Sequence, residues 1–392
     1  MSEPTEFETD DASTDEQPKS GRADSDPTAD SDPTSGRDTH TTGNEPTTRR
    51  GPTTEASATG ISLIQRIGLA ATVVLAIVLT GFVVAYWLRS YPLLGDVATQ
   101  YVYAGQHMDR LLGTNVFRHP VMWQSVATAV LVGIVAPLVG VFLVHREMAL
   151  IGETLAHTAF AGVAVGLLLG ATTDWQASLL LSALVVGIGG ALAVQWLAER
   201  TDAYGDVAIA IMLTGSFAVG TLVISYGRGL TAVNVEEYLF GNLAFVTGEG
   251  ARLMVVLTIF VVIGVASTYK QLLFITFDEQ AARVARLNVR GYNALLVVMT
   301  AVVVVGAMQV LGVILVAGML VIPVAAATQL AESFRETLSL SILFGQAAVL
   351  GGYALAISQS LPPGGSIIVV GIACYLFAIG WSGSSRRGVQ IH

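Results

Sequence analysis

Long stretches of this chain carry no ionisable side chain. Residues 291–331 and 337–385 contain no Asp, Glu, Lys, Arg or His, and 175–198, 207–227 and 253–269 repeat the pattern on a shorter scale. Each shorter run is near the ~20 residues that cross a bilayer as a helix. The pattern predicts about ten apolar helices, at 62–88, 120–144, 152–171, 175–198, 207–227, 252–269, 292–312, 314–331, 338–358 and 366–382. As one helix, 292–331 would be about 60 Å long, twice the ~30 Å hydrocarbon core. It is therefore expected to turn back within 311–318; merging that hairpin would leave about nine helices. The expected fold class is an all-α, polytopic membrane protein.

Composition sharpens this reading. Of 392 residues, 53% are hydrophobic and only 12% are charged, which is outside the range of ordinary soluble domains. One cysteine, Cys374, excludes a disulfide framework within one chain. The net charge of −9 sits at one end: residues 1–60 hold 14 acidic and 5 basic residues, and "DSDPT" occurs at 24–28 and 30–34. That segment lacks Leu, Ile, Val, Trp, Tyr and Cys, so it is expected to be a disordered acidic tail. It also lacks the charged and apolar regions of a signal peptide. The expected organisation is a tail at 1–60, an extra helix and external linker at 61–118, a membrane core at 119–382 and a short tail at 383–392.

The basic residues set an expected orientation. Arg66, Arg146, Arg200, Lys270, Arg283, Arg286, Arg290, Arg335, Arg386 and Arg387 fall on one side of the ten-helix topology. Arg89, Arg110, Arg118, Arg228 and Arg252 fall on the other. The larger set is expected to be cytoplasmic, with both termini. Gly162, Gly166 and Gly170 form a small-xxx-small stripe, read as close helix contact in lipid.

Two connections contain charge. "KQLLFITFDEQAARVARLNVRGYN" (270–293) is read as a connecting loop or as a short surface helix that docks a cytoplasmic partner. Asp278 and Glu279 at its start, with arginines at its end, suit a helix dipole. On the other side, 228–252 mixes acids and aromatics and reads as an exposed loop or an interfacial helix.

The clearest chemistry lies in "HREMALIGETLAHTAFAGVAVGLLLG", 145–170. Glu153 and His157 are four residues apart, so a helix places them on one face. Carboxylate oxygen and imidazole nitrogen both bind zinc, manganese or iron(II). Ionisable groups within membrane helices are costly and point to function. Two plainer readings stand beside this one: Glu153 favoured by a helix N-terminus, and His157 bonded to a neighbouring helix. Thr214, Ser216, Gln309 and Thr328 are further polar groups within apolar segments. The chain has no GxxxxGK[ST] phosphate loop and no Ser/His/Asp constellation. ATP-driven work would need another polypeptide.

Taken in order, these features resemble the permease subunits of ABC-type zinc, manganese and iron importers. "GVFLVHREMALIGETLAHTAFAGVAVG" resembles that family's first signature through Arg146, Met148, Gly152, Glu153, Leu155, His157 and Gly162. "EEYLFGNLAFVT" (236–247) is similar to its outer segment through Glu236, Glu237, Phe240, Gly241 and Asn242. "FDEQAARVARLNV" (277–289) resembles its ATPase-coupling region, here Asp278, Glu279, Ala282, Arg283, Arg286 and Leu287. Residues 305–331 are similar to its proline-containing hairpin, with Pro323 matching. Asn288 stands where related coupling loops often have Gly, and "MLTGSF" (212–217) lacks a histidine seen in some zinc-type relatives.

The resemblance implies an importer-permease fold related to cobalamin and siderophore permeases. It implies a non-enzymatic transport subunit in the plasma membrane, working as a homodimer with ATP-binding subunits and an external metal-binding solute-binding protein. It implies no permanent cofactor and no nucleic acid. Glu153 and His157 would contact a divalent zinc, manganese or iron ion as cargo, moved inward by alternating access. The alternatives are a permease for a metal chelate and an ATPase-independent secondary transporter.

Overall fold

The computed structural model describes residues 53–89, 119–172, 179–200, 205–226 and 248–387, with isolated positions between 96 and 109 and at 246. The expected tail therefore lies outside the described residues up to residue 52. Every regular element among the described residues is a helix. They are α1 (Thr53–Leu88), α2 (Pro120–His145), α3 (Ile151–Thr172), α4 (Leu179–Arg200), α5 (Gly205–Tyr226), α6 (Gly248–Phe277), α7 (Glu279–Val284), α8 (Val289–Leu311), α9 (Val313–Thr328), α10 (Phe334–Gln359) and α11 (Pro363–Arg387).

The ten expected apolar segments correspond to the ten helices other than α7. Eight are long and apolar enough to span a membrane; α4 and α9 have shorter apolar stretches, Leu181–Leu197 and Val313–Thr328. Several helices run past their charge-free stretches. α6 continues through Lys270 to Phe277, so the connection expected from Lys270 is helical for its first third. α1 begins at Thr53, within the expected tail, and α11 continues to Arg387. A charged side chain in an end turn can reach the interface, so a charge need not end a membrane helix.

α2 is the central strut. Of its membrane window 89% is buried, against 22% for α5 and α11. It packs against α1, α6, α8, α9 and α10. Pro137 lies inside it and has no N–H for the Gly133 carbonyl. α10 comes close there: a Cβ on Gly345 would lie 2.5 Å from that same oxygen. Beside it, Gln346 Nε2 donates to the Val130 carbonyl at 2.9 Å. Burial of apolar surface gives little drive between helices in lipid, so close contact and interhelical bonds of this kind hold the bundle. α1 joins α10 nearer its start, where Gln65 donates to the Ser339 hydroxyl.

The expected reversal occurs at Gly312, the one residue between α8 and α9. Its φ of 80° and ψ of 161° are open to glycine and costly for other residues. The start of α8 meets the α2–α3 turn through Asn293, and Leu320 of α9 returns to Gly140 and Gly152 beside that turn. The chain has therefore doubled back. The glycine stripe of α3 is only partly an interface. A Cβ on Gly162 would lie 2.8 Å from Ala183 of α4, whereas Gly170, at the exposed end of α3, has nothing within 4 Å.

Three helix ends share a device with no glycine to announce it. Glu147, Arg286 and Ser360 adopt left-handed φ of 60°, 59° and 54°. After α2, Glu147 N–H donates to the Val144 carbonyl and Met148 N–H to the Leu143 carbonyl. After α7, Arg286 and Leu287 donate likewise to Arg283 and Ala282. These paired bonds are Schellman motifs, which satisfy the last carbonyls and turn the chain sharply.

Candidate functional site

Glu153 lies in the first turn of α3, where the helix dipole favours a carboxylate. His157 follows one turn later on the same face, close enough for a Coulombic interaction with Glu153. Both side chains are half-buried. The neighbouring face of α3 is fastened to α5. Thr154 Oγ1 donates to the Ile209 carbonyl at 3.3 Å, and Thr158 Oγ1 shares a 2.9 Å hydrogen bond with Ser216 Oγ. α5 also supplies Phe217, whose ring meets the His157 imidazole edge-on at 5.2 Å and 81°. The ring is thus held by an aromatic contact, and its Nδ1 is buried without a protein hydrogen-bond partner. An imidazole nitrogen in that condition has no hydrogen bond that a ligand would have to displace.

Among the described residues, no group of three or more His, Cys, Asp and Glu gathers to hold a metal ion. Among the described residues the pair offers two candidate donors. Ser216 stands beside it but is bonded to Thr158. Thr214 and Thr328 bond back to their own helices, at Ala210 and Ala325, and no described contact brings them to the pair. The Gln309 side chain lies outside the described residues.

The expected surface helix forms as α7. Asp278 caps it, accepting from the Ala281 N–H at 2.8 Å, and Glu279 pairs with Arg283 at 2.5 Å. That exposed i,i+4 pair contributes about 0.5 kcal/mol or less. Ala282 is fully buried with Ile275 and Val289, and Leu287 packs on this small cluster. Arg283, Val284 and Arg286 face outward, Val284 with 85% exposure. Asn288 does not occupy a glycine-requiring position: its φ is −76°, and its side chain caps α8 by accepting from Gly291 N–H at 3.1 Å. The left-handed residue of this connection is Arg286 instead.

Between the pair and α7 lies a residue that the sequence marks only as a motif match. Arg146, in the α2–α3 turn, uses all three guanidinium nitrogens. Nε donates to Thr276 Oγ1 at 2.9 Å, Nη2 to the Leu272 carbonyl at 3.2 Å, and Nη1 to Asn293 Oδ1 at 2.6 Å. Burial pushes its pKa below the usual guanidinium value, opposed by the charge of Glu279. Next to it, the His145 ring meets Phe334 at 5.1 Å and Phe277 at 6.3 Å.

Pro323 is buried within α9. Glu236, Glu237, Phe240, Gly241 and Asn242 lie outside the described residues.

These features describe a many-helix membrane bundle with a polar pair at the base of one helix and a capped surface helix at the same end. The profile of the ABC 3 transport family matches residues 118–382. The chain belongs to that family and is a multi-pass transport permease subunit. It is 31% identical over 266 residues to the manganese transport system membrane protein MntC of Halalkalibacterium halodurans, covering 68% of this chain and 88% of that protein. It is 25% identical to the high-affinity zinc uptake system membrane protein ZnuB of Haemophilus influenzae, covering 66% and 97%. Among solved structures, PsaBC from Streptococcus pneumoniae in complex with Fab matches with a TM-score of 0.60 and 29% identity, covering 67% of this chain and 92% of that one. A transporter described as of metal-chelate type, inward-facing, shares the fold with a TM-score of 0.55 at 18% identity.

Proposed function

We propose that this chain is the permease subunit of an ATP-binding-cassette importer that carries a divalent transition metal, manganese, zinc or iron(II), into the cytoplasm. The observation that carries this reading is family membership over 118–382, together with relatives named for manganese and zinc transport. Glu153 and His157 bind the ion in passage. Two donors from one chain are fewer than the four or more that these ions take, so water or a second copy supplies the rest. An incomplete, partly wet site suits transport, because a complete cage would retain its cargo.

In this reading two copies pair with the path between them. The sparsely buried α5, which flanks the pair, supports that placement. α7 docks a separate ATP-binding subunit, supported by its fixed caps and its outward Arg283, Val284 and Arg286. In this reading that end is cytoplasmic, and both termini with it, supported by the basic residues near α7. An external solute-binding protein delivers the ion to the opposite end.

The test is cellular metal content by elemental mass spectrometry under metal starvation. A gene deletion is compared with complementation by wild type and by Glu153→Ala plus His157→Ala, at matched membrane expression. The reading expects the deletion to lose one divalent metal, restored by wild type and not by the variant. A metal profile unaffected by deletion, in cells with no second importer, would overturn it.

A further inference from the structure

We propose that Arg146 is a positioning residue that carries displacement of α7 to Glu153 and His157. The proposal rests on reading α7 as the docking helix, and it adds a mechanical link from that helix to the site. α7 is flanked by two long helices, α6 before it and α8 after it. Arg146 holds both: Thr276 and Leu272 in the closing turns of α6, and Asn293 in the second turn of α8. The roots of α7 therefore meet at one guanidinium.

On its own side Arg146 is equally constrained. It is the C-cap of α2, and the turn after it contains the left-handed Glu147 and the Met148-to-Leu143 bond of the Schellman motif. Ile151 N–H then donates to the Met148 carbonyl, so α3 starts without a slack segment. Glu153 lies in the first turn of α3 and His157 in the next. A shift of the α6 and α8 ends thus reaches the pair through one bonded side chain and one bonded turn. The adjacent His145 ring, held between Phe277 and Phe334, ties α10 to the same corner.

The residue type matters. A guanidinium is a rigid planar fork that can hold acceptors on two helices at once. Lysine keeps the charge but concentrates its donors on one nitrogen, so it cannot make the bridge. The sequence separations are 126, 130 and 147 residues, so the contact belongs to the fold and not to the local turn.

The experiment uses the full chain in lipid nanodiscs, in a Cys374→Ser background, with spin labels at Ala285 after α7 and at Leu169 near the far end of α3. Pulsed dipolar spectroscopy reads the distance distribution between them. Wild type is expected to give a narrow distribution, Arg146→Lys and Asn293→Leu broadened ones, and the double variant no more broadening than either single. Asn293→Asp, which keeps the acceptor, is expected to remain narrow. With the ATP-binding subunit reconstituted, Arg146→Lys is expected to retain assembly and basal ATP hydrolysis while metal uptake per ATP falls about tenfold. An unchanged distribution in both Arg146→Lys and Asn293→Leu would overturn the link, whatever happens to uptake. Broadening in these variants, in a chain that binds no ATP-binding subunit, would retain the link and sink the docking reading of α7.

Discussion

Replacing Gly140 by alanine puts a methyl group into the contact between α2 and α9. A Cβ built on Gly140 lies 2.0 Å from the Leu320 carbonyl oxygen and 3.0 Å from its carbon. Ordinary contact begins near 3.4 Å, so the two backbones must separate by about 1.4 Å. The neighbour is main chain within a helix, so no side chain can swing aside. α9 is also hemmed in: it packs on α3, α10 and α11, and the Leu320 side chain sits 2.6 Å from where a Cβ on Gly152 would be. Overpacking costs about 1–3 kcal/mol, and backbone-on-backbone contact puts Gly140→Ala near 3 kcal/mol. The assay is equilibrium unfolding by SDS in mixed micelles, with Gly170→Ala as the control. Gly170 has open space around it, so there the better helix propensity of alanine should stabilise by up to about 0.5 kcal/mol. The reasoning fails if Gly140→Ala unfolds at the wild-type midpoint, or no earlier than Gly170→Ala.

Further outcomes follow from local geometry. Ser360→Gly relieves a left-handed residue after α10 and should stabilise by about 1 kcal/mol or less, since glycine also loosens the unfolded chain; a lowered SDS midpoint would contradict this. Asp278→Ala removes the cap of α7, at about 1 kcal/mol, so amide exchange across 279–284 should accelerate about fivefold; unchanged exchange would mean that the cap does not hold α7. Gln346→Leu should be neutral to within about 0.6 kcal/mol by the same unfolding assay, because it loses one interhelical bond and also removes Oε1, a buried acceptor with no partner. A loss above about 2 kcal/mol would show that the Val130 bond is worth more than bonds of its kind.

Much of the fold was legible because membrane helices are written as long apolar runs. Helix ends were less legible. α6 absorbs Lys270 and α1 starts before Leu63, because end turns can carry charge to the interface. The reversal in 311–318 follows from length alone, and of the two glycines there it is Gly312 that takes it. The left-handed turns at Glu147, Arg286 and Ser360 were hidden, since the usual marker of such a turn is glycine. Asn288, where related coupling loops often have Gly, is an ordinary helix cap.

The geometry around the candidate pair is legible only in part. Glu153 and His157 needed only helical spacing to be placed on one face. Thr154 and Thr158 also lie on α3, but their partners Ile209 and Ser216 are on α5, and no local pattern announces such a pairing. The same holds for Arg146. The motif marks the position, whereas its meaning depends on Leu272, Thr276 and Asn293 arriving from helices far along the chain. A signal existed: an arginine between two apolar helices, too near their ends to be free of neighbours.

The central claim is that the Glu153–His157 pair carries a divalent metal through this permease. Its most direct test is ATP-dependent uptake of radioactive manganese, zinc or iron(II) into proteoliposomes holding the chain with its ATP-binding subunit and supplied with its solute-binding protein. Wild type should accumulate one of these metals, and Glu153→Ala plus His157→Ala should abolish accumulation while the complex still assembles and hydrolyses ATP. Accumulation at the wild-type rate by that variant would contradict the account.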